Sequence, residues 1–222
     1  RVLFRSVSQY EYGEMLARYA NEYDAVVQIT IGANFSCCYQ NACAAAQEYE
    51  NVFVVDSENL STGQGLLVVA AAKLAEQGLS GAEIAERVRA LAPKVEASFL
   101  IECLDYMRKG GRCSAVAALG ANLLHLKPCI EVRNGKMAVC KKYRGSFEKC
   151  IRQYVKERLD GREDIAPELA FITHAAADAN VVAAAKEEAA QYGSFETVEE
   201  TQAGCTVSCH CGPNTLGILF VR

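Results

Sequence analysis

The chain has 222 residues, 51% apolar and 23% charged, with 23 Lys and Arg against 27 Asp and Glu for a formal charge of -4. That is an ordinary globular composition, long enough for one large domain or two small ones. It provides no basic face for nucleic acid, and no run approaches the roughly 18 uncharged apolar residues of a membrane span.

The 11 cysteines are odd in number, scattered through periodic segments and never spaced C-x-x-C. That excludes a disulfide framework and the usual paired zinc ligands, leaving small buried apolar residues in a reducing cytoplasm. Asn34-Phe35-Ser36 and Asn59-Leu60-Ser61 are chance glycosylation triplets in such a compartment. The opening RVLFRSVSQ carries neither an initiator Met nor a signal peptide, so a preceding segment is expected.

EYGEMLARYANEY reads as a helix with Met15, Leu16, Tyr19 and Ala20 on its apolar face. DAVVQITIG is a buried strand ending at Gly32, and Ser36 stands as the N-cap of the Ala- and Cys-rich helix that follows. VFVVDS is a second strand, closed by Asp56. STGQGLLVVAAAKLAEQG starts with cap-like residues and is apolar enough to be buried on most faces, and SGAEIAERVRALAP is an amphipathic helix stopping at Pro93. This alternation predicts a parallel sheet covered by helices.

Beyond Pro93 the pattern changes. ASFLIEC is a strand, and LDYMRKGGR a short helix ended by Gly110-Gly111. HLKPCIEVRNGKMAVCKKYRG is a hairpin around Asn-Gly. Then come the helix SFEKCIRQYVKERLDG, the strand ELAFITH, the helix ADANVVAAAKEEAAQYG, and strands at SFETVEE and LGILFV. The reading is α/β in two domains. Residues 1–94 form an N-terminal parallel sheet flanked by helices, and 95–222 an α/β domain with a mixed or antiparallel sheet.

Few stretches carry chemistry. STGQG and KGGR fit neither a phosphate-binding P-loop nor G-x-G-x-x-G. GANFSCC leads from a strand to a helix N-terminus, where unpaired backbone N–H groups, the Ser36 hydroxyl and the N–H of Cys37 would suit a carboxylate or phosphate. Cys37 and Cys38 there are candidate nucleophiles with His210 as base. His125 and His174 read as structural. TVSCHCG, read as extended, puts Cys209 and Cys211 on one face and His210 on the other, so the three do not converge on a metal. His210 is then presented at a turn forced by Gly212-Pro213.

VSQYEYGEML, FSCCYQNACAAA, VVDSENLSTGQGLLVVAAAKLAEQG, LDYMRKGGRCS, LKPCIEVRNGKM and HCGPNTLGILF follow one another in the order seen in the DegV family. The chain resembles these proteins, which include the fatty-acid-binding subunits of bacterial fatty acid kinases. The resemblance implies two α/β domains, one long-chain fatty acid in an apolar tunnel, and a carboxylate held by hydroxyls near the domain interface. It further implies a non-catalytic, cytoplasmic lipid carrier without cofactor or metal, whose partner is a separate fatty acid kinase subunit. The family stretch before VSQ is absent from this sequence.

Carried over residue by residue, the family's T-S-Q falls on Val7-Ser8-Gln9 and its S-G-T on Ser36-Cys37-Cys38. Its histidine before G-P-G falls on His210, and Lys109-Gly110-Gly111-Arg112 matches K-G-G-R. The implied carboxylate ligands are therefore Ser8, Ser36, Cys37 and His210, with Arg112 supporting the head group or contacting the kinase. Three departures fall at that end. Val7 lacks a hydroxyl, for which Ser8 or Ser6 must compensate; Cys37-Cys38 replaces Gly-Thr; and Asn214 replaces a glycine. Burying a C16 tail at about 0.8 kcal/mol per methylene supplies on the order of 10 kcal/mol before ordering costs, so the head group mainly sets register. The alternatives are a cysteine-dependent acyl-transfer enzyme using Cys37 or Cys38 with His210, and a module binding a non-lipid anion.

Overall fold

The β-branched and aromatic runs of the sequence become strands, and its Ala-, Leu- and Glu-rich runs become helices. The computed structural model describes residues 6–111 and 126–222, and its fold is α/β. The chain divides into two compact units, Arg1–Val95 with Asn134–Lys136, and Glu96–Arg133 with Met137–Arg222.

In the first unit, α1 (Gln9–Glu22), β1 (Val26–Thr30), α2 (Cys38–Ala46), β2 (Val52–Asp56), α3 (Ser61–Glu76) and α4 (Gly81–Leu91) alternate. Strands β1 and β2 pair in parallel, from Val26 opposite Val52 to Thr30 opposite Asp56. Tyr12 and Leu16 of α1 bury against Cys38, Ala42 and Ala45 of α2 and Val54 of β2. Small side chains on α2 let the two helices close together. Gly81 is required at the start of α4, because a Cβ there would strike the Ala25 methyl and the Phe53 ring.

Three expectations need correction here. Helix α2 begins at Cys38 with Cys37 as its N-cap, so Ser36 lies one residue outside the cap. The buried stripe of α1 is Tyr12 and Leu16, at i and i+4, while Tyr19 is exposed. Helix α3 buries only Gly63, Leu66 and Leu67, and Val68 is 47% exposed. An apolar composition does not by itself bury every face of a helix.

The second unit contains β3 (Val95–Leu100), α5 (Leu104–Gly110), β4 (Leu126–Arg133), β5 (Lys136–Arg144), α6 (Phe147–Leu159), β6 (Ala170–Ala175), α7 (Ala179–Tyr192), β7 (Val198–Gln202), α8 (Cys205–Cys211) and β8 (Thr215–Val221). The strands form one mixed sheet in the order β5-β4-β3-β8-β6-β7. Pairs β3–β4 and β6–β8 are antiparallel, and β6–β7 is parallel. Asn134 and Gly135 join β4 to β5 at φ of 51° and 68°, the left-handed pair that a two-residue type I′ hairpin needs.

The two sheet faces carry different layers. On one, Cys150, Ile151, Tyr154, Val155 and Leu159 of α6 and Val181, Val182 and Ala185 of α7 cover Ala170, Ile172, Leu216 and Ile218. A smaller cluster joins Met107 of α5 and Cys211 of α8 to Ile101 and Ile130. Cys129 belongs to the first cluster and Ile130 to the second, as alternation along a strand requires. The segment TVSCHCG, expected as extended, is helical in α8 and stops at Gly212, whose φ is 82°. Apolar docking of Val207 and Cys211 overrides the weak helix propensity of a run rich in Cys, Thr and Ser.

The fully buried Tyr154 hydroxyl donates to the Ser98 carbonyl at 2.7 Å and accepts from the Ile218 N–H at 3.1 Å. The Ser98 hydroxyl lies 2.8 Å away. Tyr154→Phe leaves these buried groups on β3 and β8 without their partner, so denaturant unfolding should show a loss of about 3 kcal/mol. A loss below about 0.5 kcal/mol, the scale of an indifferent surface change, contradicts this account.

Candidate functional site

In the first unit, the connections leaving the carboxyl ends of β1 and β2 run side by side, the position where ligands enter open α/β sheets. Gly32 makes the approach possible, since a Cβ there would press on the Phe35 ring and on the backbone of Glu58 and Asn59. The Gly32 N–H donates to the Asn59 carbonyl at 2.8 Å. One Asp56 carboxylate oxygen accepts from the N–H groups of Ala33, at 3.1 Å, and Glu58, at 2.9 Å. Glu58 and Ser61 both adopt φ of 51°, a left-handed conformation that side chains other than glycine enter at a cost of about 1 kcal/mol. The β2–α3 connection is thus held in an unfavourable shape by its neighbours.

The start of α2 is built from hydroxyls. Ser6 Oγ lies 2.7 Å from Ser36 Oγ and accepts from the Cys37 N–H at 3.3 Å. Ser36 Oγ accepts from the Cys38 N–H at 3.3 Å, and its own proton points to Cys38 Sγ at 3.0 Å. Asn41 Nδ2 donates to the Val7 carbonyl at 2.7 Å and holds the 6–8 segment against α2. Ser8 plays a different part, closing a capping box with Glu11 at the start of α1. Burial, with the Cys38 thiol beside it, pushes the Tyr12 hydroxyl well above its ordinary range, so it stays neutral. The lone pairs of Ser6 and Ser36 therefore take backbone donors, while one proton is satisfied only by sulfur, a weak acceptor. Such a pair is ready to donate to an incoming oxyanion.

His210 belongs to the second unit, on the last turn of α8. It is half-buried. Its ring lies against Gly110 of α5, where a Cβ would collide with Nδ1, while a Cβ on Gly212 would collide with the Tyr106 ring. The KGG and HCGPN segments thus interlock through a glycine contributed by each. Asn214 adopts φ of 59°, accepts from the Asp178 N–H at 2.7 Å and donates to Glu102 Oε2 at 2.8 Å.

His174 is buried. Its Nε2 is 3.2 Å from Glu200, and its Nδ1 accepts from the Ala177 N–H. Cys205 and Cys209 are exposed and Cys211 is buried; among the described residues no group of three or more His, Cys, Asp or Glu could hold a metal. Arg112 and His125 lie outside the described residues.

Ser8, Ser36 and Cys37 therefore fall in the first unit and His210 in the second. Ser36 and Cys37 come together, and the group completing them is Ser6. Its signal was the capping box Ser-x-x-Glu of Ser8 and Glu11, which occupies Ser8 and leaves the earlier serine for α2. The bracing by Asp56 and the Gly110–His210 contact had no local signal.

Gly110→Ala should displace His210 and lower stability by about 1–2 kcal/mol, and the same change in a His210→Ala background should cost little, a coupling read by a double-mutant cycle. Equal costs in both backgrounds would show that the two residues do not depend on each other.

A family model described as an uncharacterised protein of the DegV family matches residues 4–222. A DegV domain-containing protein of Clostridium acetobutylicum is 31% identical over 220 residues, covering 97% of this chain and 76% of the relative. Among solved structures, a DegV family protein from Thermus thermophilus, described for its fatty acid binding, has a TM-score of 0.86 at 27% identity and covers 98% of this chain and 78% of its own. A Thermotoga maritima protein described as revealing a fatty acid binding function has a TM-score of 0.79 at 26% identity, with coverage of 98% and 77%. Sequence and fold agree along nearly the whole length, and the chain belongs to the DegV family.

Proposed function

We propose that this protein binds one long-chain fatty acid and presents its carboxylate to a separate fatty acid kinase subunit, without catalysing a step itself. The observation that carries the reading is the Ser6–Ser36 hydroxyl pair at the start of α2, with the N–H groups of Cys37 and Cys38 beneath it. Hydroxyl and amide donors hold a carboxylate without neutralising it, so its oxygen stays available as a nucleophile toward a phosphoryl donor on the partner. The fatty acid binding described for the relatives from Thermus thermophilus and Thermotoga maritima supports the same ligand class.

Within the proposal the domain 1–94 supplies the hydroxyls, with Ser8 fixing the segment that carries Ser6, and the domain 95–222 supplies His210 and Arg112. The assignment of His210, Arg112 and the kinase rests on the family. No cofactor takes part. A cytoplasmic location accords with the free cysteines, and among the described residues no helix is long and apolar enough to cross a membrane.

Mass spectrometry of the purified protein, native and after organic extraction, should show a C14–C18 acid at one per chain. A protein that is empty and takes up no added palmitate overturns the proposal and returns the reading to a non-lipid anion. Ser36→Ala should weaken palmitate binding roughly 10-fold, the value of one hydrogen bond to a charged group, and leave hexadecanol binding unchanged. Equal losses for acid and alcohol would remove Ser36 from the head group. Loss of acyl-phosphate formation on alkylating Cys37 with binding intact would favour the cysteine-dependent enzyme.

A further inference from the structure

The two-residue turn at Asn134-Gly135 fixes the register of the β4–β5 hairpin, and counting back from Arg133 opposite Lys136 sets Cys129 across from Cys140. Cys140 Sγ lies 3.4 Å from the Cys129 carbonyl oxygen. Arg158 of α6 reaches over the pair, with Nη2 3.1 Å from Cys140 Sγ, 3.8 Å from Cys129 Sγ and 3.3 Å from Glu131 Oε2. The two thiols differ in access. Cys140 is exposed on β5, the edge strand of the sheet, and Cys129 is buried beneath α6. Residues facing one another across antiparallel strands have Cα atoms about 4.5–5.5 Å apart, within the roughly 4.4–6.8 Å that a disulfide spans. Neither cysteine is among the proposed carboxylate ligands, and the half-buried Arg158 guanidinium lies against both thiols as well as Glu131.

We propose that Cys140 and Cys129 form a redox-active dithiol, in which Cys140 is oxidised by a peroxide and Cys129 resolves it into a cross-strand disulfide. The Cys140 thiolate attacks one peroxide oxygen, the O–O bond breaks, and the departing hydroxide takes a proton to become water, leaving Cys140 as a sulfenic acid. The Cys129 sulfur then gives up its proton and attacks the Cys140 sulfur. The S–O bond breaks, a second water leaves and the S–S bond forms. Two thiols lose two electrons in all, and one peroxide gains them.

The surroundings divide the roles. The Cys129 thiol, as hydrogen-bond donor, lowers the Cys140 pKa to about 7; Arg158 adds to the effect, while burial and the Glu131 carboxylate oppose it. Cys129 is pushed up, by the same hydrogen bond and by burial. Tyr143 and Tyr154 beside it are both held neutral above their ordinary range, chiefly by burial. At neutral pH a thiol of this acidity is about half thiolate, against a few per cent for an ordinary cysteine. Its lower intrinsic nucleophilicity reduces the gain to roughly threefold in rate. Rate alone is therefore a weak signature, and the bond formed is the strong one.

The test treats the reduced full chain with hydrogen peroxide, caps the remaining thiols and maps the peptides. The expected product is a Cys129–Cys140 disulfide, formed with loss of two hydrogens and reversed by dithiothreitol. Cys129→Ser should stop the reaction at a Cys140 sulfenic acid trapped by dimedone, and Cys140→Ser should leave Cys129 reduced. Alkylation of Cys140 should rise with a midpoint near pH 7, below the roughly 8.5 of an ordinary thiol. The proposal fails if Cys140 stays reduced while the exposed Cys37, Cys205 and Cys209 oxidise. It fails equally if the sulfenic acid persists as long in the natural chain as in the Cys129→Ser variant.

Discussion

A single buried hydroxyl organises the larger sheet. Tyr154 reaches from α6 to the Ser98 carbonyl of β3 and the Ile218 N–H of β8, adjacent strands in the middle of the six-stranded order. Gly217 beside it permits the approach, since a Cβ there would collide with the same Ser98 carbonyl. Buried polar backbone must find partners, and here a side chain supplies them. With this contact α6 is fixed against the sheet, and α6 in turn carries Arg158 over Cys129 and Cys140.

The same accounting of backbone donors shapes the smaller sheet. Two crossover connections leave it together, and their N–H groups converge on Asp56 and on the serines at the start of α2. The proposed carrier function asks only for donors that do not neutralise the cargo, and Ser6, Ser36 and the N–H groups of Cys37 and Cys38 are donors of that kind, with α1 locking the serine segment through the capping box of Ser8.

The departures from the family pattern divide by physical cause. Asn214 stands in for a glycine because asparagine tolerates the left-handed conformation it adopts, and its amide gains bonds to Asp178 and Glu102 that glycine could not make. Cys38 packs in the core beside Tyr12, where a thiol behaves as a small apolar group. Nothing in the structure explains Cys37.

Period and punctuation determined most of the elements. The strand runs, the Asn-Gly hairpin and the change of pattern after Pro93 are local signals, set by backbone sterics and by the burial of one face, and they survive into the structure, whereas the caps expected from Ser36 and from the Ser61-Thr62 start of α3 do not form. The ordered motifs likewise determined the family. Local signals fail where a segment's state depends on what docks against it. TVSCHCG alternates like a strand yet folds as α8, because Val207 and Cys211 find an apolar surface. The apolar run of α3 promised burial on most faces, but only Gly63, Leu66 and Leu67 are buried. Tertiary structure alone decided which serine faces Ser36, which glycine admits His210 and which cysteines share Arg158. Each of these depends on groups about 30 or more residues apart in sequence, or on a register counted across a turn, and no local propensity encodes such distances.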